Sequence, residues 1–95
     1  MVTHIVIFTW RAGVTEEQIG AFGEVLTRMA ADFADVATFR HGHDLAFREG
    51  NGDYALVATF ADQAAWSAYQ AHPRHLAFVR DFVTPIQASR LTIQF

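Results

Sequence analysis

The chain has 95 residues, 52% of them apolar and nine of them Phe, with seven basic residues against ten acidic ones for a net charge of -3. That length predicts one domain with every functional group inside it, and an acidic balance with no basic run argues against nucleic acid as a partner. The absence of Cys excludes disulfides, thiolate metal sites and a Cys nucleophile.

Met1-Val2-Thr3-His4 runs directly into a strand pattern, without the charged and apolar regions of a leader. No apolar stretch approaches the ~20 residues of a membrane span, so the expected location is cytoplasmic. All seven basic residues are Arg, a weak compositional sign of a high-GC bacterial genome.

Thr3 to Trp10 reads as the first strand, with His4, Val6, Phe8 and Trp10 on one face and Ile5, Ile7 and Thr9 on the other. Both faces are mostly apolar, as in a strand covered on two sides. Thr15-Glu16-Glu17-Gln18 supplies a capping box that opens a helix. The stripe Ile19, Phe22, Leu26, Met29 and Phe33 recurs at helical spacing and carries that helix to Asp32 or Phe33. Val36 to Leu45 and Asp53 to Phe60 read as a hairpin, with Asn51-Gly52 as the pair that tolerates positive φ. Tyr54, Leu56, Ala58 and Phe60 share one face of its second strand. Asp62 caps a second helix with Ala65, Trp66 and Tyr69 on its buried side, and Pro73 ends it. A short further helical turn, with Leu76, Phe78, Val79 and Phe82 as its apolar residues, runs toward Pro85. Leu91, Ile93 and Phe95 alternate with Arg90, Thr92 and Gln94 in a last strand.

The order β-α-β-β-α-β predicts an α+β, ferredoxin-like fold, with two helices on one face of a four-stranded antiparallel sheet. Ile5, Ile7, Ala55 and Val57 then lie on a bare face. A domain this small buries little more than ~60% of its chain's surface, so a second copy packed face to face is the simplest cover.

Chemical groups concentrate in Tyr69-Gln70-Ala71-His72-Pro73-Arg74-His75. Pro73 suits a first helical position, which makes His72 a boundary and turns His75 back across the helix end. An imidazole that titrates near neutrality beside a phenol that can donate to an oxyanion is a proton-transfer pair. The competing structural account is that Tyr and His at helix ends cap or fill the core. His41-Gly42-His43, with His4, offers three imidazoles to a metal, but no Cys or carboxylate completes a ligand set, so no metal and no cofactor are expected. Trp10, Trp66 and the Phe residues fall on periodic buried faces and read as core rather than as a box for haem. There is no glycine-rich phosphate loop and no serine nucleophile elbow.

His4-Ile5-Val6-Ile7-Phe8, Gly42, Asp53-Tyr54-Ala55-Leu56, Phe60, and above all Tyr69 with His72-Pro73-x-His75, resemble the stress-responsive dimeric A/B barrel (Dabb) family over nearly the whole chain. The resemblance implies a homodimer whose two sheets face each other, with the helices outside. In one plant member, olivetolic acid cyclase, a Tyr and a His matching Tyr69 and His75 close a polyketide by aldol condensation without metal or cofactor. By that resemblance Tyr69 stabilises a carbonyl oxyanion and His75 is the general base and acid. His4, Val6, Phe8, Leu26, Tyr54, Leu56 and His72 are then the expected substrate-binding residues. The cyclase differs in carrying His at the position of Tyr54 and Phe at that of Gly23.

Three readings follow: a cofactor-independent lyase, cyclase or isomerase acting on a small polyketide-like or aromatic carbonyl compound; a non-catalytic protective dimer; and a haem-binding or cofactor-free monooxygenase on the same barrel. The partners expected are a second copy and a small apolar molecule.

Overall fold

A computed structural model describes residues 1–95. The elements are β1 (Val2–Trp10), α1 (Glu16–Asp32), β2 (Val36–His43), β3 (Tyr54–Phe60), α2 (Gln63–Ala71), α3 (Pro73–Phe78), a π-helical turn (Val79–Val83) and β4 (Gln87–Gln94). The sheet order is β2-β3-β1-β4 and every neighbouring pair is antiparallel, the ferredoxin-like arrangement that the element order predicts.

The capping box forms as the sequence indicates. Thr15 Oγ1 accepts from the Gln18 backbone N–H at 3.1 Å, and the Gln18 side chain accepts from the Thr15 N–H at 2.9 Å. Four of the five stripe residues of α1, Phe22, Leu26, Met29 and Phe33, are buried, and Ile19 packs at their margin. They meet Val6, Phe8, Leu56, Ala58 and Phe60 from the sheet, so the core is the seam between the helices and β1 and β3. Asp62 caps α2 by accepting the Ala65 N–H at 2.9 Å.

Local departures from the sequence reading have physical causes. β2 stops at His43 and β3 starts at Tyr54, so the hairpin loop is longer than the Asn-Gly pair suggests. Positive φ falls on Ala46 and Gly50. Gly52 serves another purpose: a Cβ there would collide with the Ile7 side chain, so the loop can lie against β1 only without one. The Asp53 carboxylate, accepting the Trp10 N–H at 2.7 Å, fastens the loop in that place. Leu76 is 56% exposed, because α3 turns it outward; the buried apolar residues of this stretch are Phe78, Val83 and Ile86.

On the face away from the helices Ile7 and Val57 are exposed, and Ile5 and Ala55 are half-buried. β4 extends this surface, since Ile5 pairs with Ile93 and Ile7 with Leu91. Leu91 and Ile93 are 75% and 58% exposed. The same register turns Arg90, Thr92 and Gln94 toward the helices, opposite Phe8, Val6 and His4. On that side Arg90, Thr92 and Gln94 remain exposed, and this incomplete cover over β4 makes room for the site.

Because Thr15 satisfies a donor that the helix itself leaves free, Thr15→Ala should lower the unfolding free energy by about 1 kcal/mol in urea titrations. An unchanged midpoint would show that solvent replaces the cap.

Candidate active site

A cavity of about 170 Å³ lies between β1 and β4 on one side and α2, α3 and the π-helical turn on the other. Its apolar wall includes Val6, Phe8, Leu56, Phe78, Val79 and Val83, and its polar groups are His4, Tyr69, Gln70, His75, Arg90, Thr92 and Gln94. The break between α2 and α3 builds its reactive end. His72 closes α2 and caps α3, its Nδ1 accepting the Arg74 N–H at 3.1 Å, with Pro73 in the first turn. An ion pair between Arg74 and Asp32 ties this junction to the end of α1. The π-helical turn continues α3 and places both Val79 and Val83 on the cavity wall.

Tyr69 is 2% exposed, wedged between Phe33 and Phe60 at ring-centroid distances of 5.1 and 5.3 Å, and its ring lies 4.5 Å from that of His75. Burial pushes the Tyr69 phenol up to about 12, so it is a neutral donor at any physiological pH. His75 is held below the ordinary imidazole value, first by burial and then by the charges of Arg90 and His72. The Gln70 backbone carbonyl pulls the other way without relieving Nδ1, which is buried with no hydrogen-bond partner. A neutral imidazole on the cavity wall is equipped to take a proton.

His4 is 5% exposed and engaged through its Nδ1. Its Nδ1 faces Trp66 Nε1 at 3.3 Å and the Gln94 amide nitrogen at 2.9 Å. Indole N–H can only donate, so His4 Nδ1 is the acceptor and the ring carries its proton on Nε2. Burial, His75 and Arg90 lower its pKa, in that order.

The residues expected in the site therefore divide. His4, Val6, Phe8, Leu56, Tyr69 and His75 line one cavity, whereas Leu26, Tyr54 and His72 lie outside it. Leu26 is wholly enclosed in the core under α1. The His72 ring packs edge-on against Phe33 at 4.6 Å while capping α3. Tyr54 belongs to a separate chain of hydrogen bonds. Thr27 Oγ1 donates to the Gly23 carbonyl at 3.1 Å and so accepts from His41 Nε2 at 2.7 Å, which leaves His41 Nδ1 to accept from the Tyr54 hydroxyl at 2.6 Å. The hydroxyl sits above Gly23, where a Cβ would approach it to 3.0 Å. His41 is thus committed to Tyr54 and Thr27, and His43 bonds the Asp44 carbonyl; no three potential ligands converge as a metal site. Trp66, Gln70, Arg90, Thr92 and Gln94 enter the site without having been singled out from the sequence. A broader depression of about 430 Å³, between the hairpin loop and the bare sheet face, contains neither Tyr69 nor His75.

A family model for the stress responsive A/B barrel domain matches residues 2–95. Among solved structures, a dimeric ferredoxin-like protein of unknown function from Thermobifida fusca is 32% identical, with a TM-score of 0.92 over 99% of this chain and 88% of that one. A Dabb family protein with a ferredoxin-like fold from Mesorhizobium loti is 26% identical, with a TM-score of 0.84 over 99% and 93%. A hydroxynitrile lyase from Passiflora edulis shares the fold at 19% identity, with a TM-score of 0.86 over 99% and 90%. No curated protein matches the sequence.

His4 and His75 both have folded pKa values below the ordinary 6.5. As the pH falls through about 6.5 the unfolded chain therefore takes up protons before the folded one, and stability present above that pH is lost below it. The unfolding free energy should drop between about pH 7.5 and about pH 5.5. His4→Gln should make the drop shallower; an equal slope would show that His4 does not contribute to it.

Proposed function

The chain belongs to the stress responsive A/B barrel domain family, and we propose that it is a homodimer that binds a small carbonyl compound in the Tyr69–His75 cavity and moves a proton on it without a cofactor. The observation that supports this reading is the pairing of the His75 imidazole, held toward neutrality by burial, with a neutral phenol whose ring lies 4.5 Å away, both on the wall of one partly apolar cavity.

The elementary step begins with removal of a proton from the carbon next to the carbonyl by the neutral His75 imidazole. The C–H electron pair moves into an enolate, whose oxygen accepts a hydrogen bond from the Tyr69 hydroxyl. The imidazolium then returns its proton, at another carbon in an isomerisation, or in a cyclisation to the alkoxide formed when the enolate carbon bonds to a second carbonyl carbon and that C=O π pair moves onto oxygen. Lyase chemistry uses the same pair in reverse: His75 takes a hydroxyl proton, the O–H pair forms the carbonyl, the carbon–carbon pair leaves on the departing carbon, and the imidazolium protonates that carbanion. The Passiflora edulis lyase shows that this fold carries lyase activity in at least one protein. With about 170 Å³ available, against the ~300–1,000 Å³ of clefts that hold drug-sized ligands, the compound is small. His4, anchored by Trp66 and Gln94, positions the wall facing the reacting end.

The second copy follows from the exposed Ile7, Val57, Leu91 and Ile93, which form one apolar surface on the side away from the cavity. The Thermobifida fusca relative is itself described as dimeric.

Tyr69→Phe and His75→Ala should each lower turnover of the substrate by about 10²-fold or more while far-ultraviolet circular dichroism and the dimer persist. Turnover at the wild-type rate in both would remove them from catalysis and leave a binding protein. The acid limb of kcat/KM should lie below pH 6.5, since it is the neutral form of His75 that acts and its pKa is lowered; a limb above that value would point to another base. Ile93→Asp should shift the sedimentation coefficient from dimer to monomer, and a wild-type monomer at micromolar concentration would refute the face-to-face assembly.

A further inference from the structure

The polar half of the cavity has a marked charge asymmetry. No Asp or Glu is among the residues that line it, its two imidazoles are held toward neutrality and its phenol is neutral, so Arg90 is the one formal charge on its wall. Arg90 is also free. The ion pairs of the chain engage Arg28, Arg74 and Arg80, and Arg11 donates to the Gln87 carbonyl. An unpaired guanidinium at the margin of a low-dielectric cavity lowers the pKa of both His4 and His75, so its field reaches the reactive end.

The β1–β4 register fixes the spacing. Arg90 stands opposite Phe8 and Gln94 opposite His4, four residues apart along β4, or roughly 13 Å between backbone positions. Thr92 and Gln94 continue the same polar edge, while Val6, Phe8, Val79 and Val83 provide an apolar wall. A molecule that meets Arg90, the apolar wall and the Tyr69–His75 pair would therefore carry an anionic group, an apolar stretch and a carbonyl.

We propose that the cavity selects a small carboxylate-bearing compound, with Arg90 gripping the carboxylate at the mouth and the carbonyl end presented to Tyr69 and His75. This rests on the proton-transfer reading of the cavity and names its substrate class. Arg90 is a substrate-binding residue whose planar fork can hold both carboxylate oxygens. Its charge has a second effect, since an anion beside it offsets the field that lowers the His75 pKa and makes His75 a better base once substrate is bound.

The test compares two probes of one shape, 3-phenylpropanoate and its uncharged amide, titrated into the protein and followed by NMR at the His75 ring and the amide signals of β4. The carboxylate should bind about tenfold or more tightly than the amide. Arg90→Gln should erase that preference, and Arg90→Lys should restore part of it. Because Arg90 is exposed on an edge strand, both variants should keep the wild-type spectrum elsewhere. Equal binding of the two probes, with shifts at His75, overturns the anion preference and leaves the cavity as a small-molecule site. A preference that survives in Arg90→Gln overturns the role of Arg90. No shift at His75 with either probe overturns both this proposal and the reading beneath it.

Discussion

The structure depends on a mismatch between one sheet and its cover. Four strands present two largely apolar faces, and the chain supplies one layer of helices. That layer seals β1 and β3 through Phe22, Leu26 and Met29, all with no exposure, and leaves Arg90, Thr92 and Gln94 of β4 exposed. Two consequences follow from the shortfall. The opposite face keeps Leu91, Ile93, Ile7 and Val57 in solvent, a surface that a second sheet covers most simply. On the helical side the uncovered strip beside β4 becomes a cavity. One deficit of cover thus generates both the assembly surface and the site.

The polarity of β4 accords with this. On an edge strand over a filled core, apolar residues would turn toward the helices. Here the register with β1 turns Arg90, Thr92 and Gln94 to that side and Leu91 and Ile93 to the other. The polar side chains thus meet a solvated space rather than a filled core, and the apolar ones join the exposed surface of Ile7 and Val57. Gln94 makes a further contribution by donating to His4 Nδ1 alongside Trp66, which together fix the tautomer of this buried imidazole.

Much of the fold was legible because helix caps and strand alternation are local. Thr15 with Gln18, Asp62 before α2 and Pro73 after His72 mark element ends by hydrogen bonds that span three residues or fewer. The spacing of Tyr69 and His75 was legible for the same reason, since a helix break at Pro73 folds one back beside the other. What escaped was non-local. The faces of β4 depend on its register with β1, over eighty residues away in sequence. Tyr54 shares its face with Leu56, and alternation alone could not reveal that His41 and Thr27 would draw its hydroxyl beneath α1 and away from His75. Gly52 read as a turn residue, while the contact that requires it is with the distant Ile7.

The Tyr54 network also bears on how the site stays small. Its hydrogen bonds run from strand to helix through Tyr54, His41, Thr27 and the Gly23 carbonyl, and burial keeps His41 toward its neutral form and the Tyr54 phenol protonated. Those polar atoms are satisfied by one another, so they lend nothing to the cavity and hold α1 close against β2 and β3. By committing these groups to each other, the fold confines its open polar chemistry to the single end where Tyr69, His75 and the Arg90 edge converge.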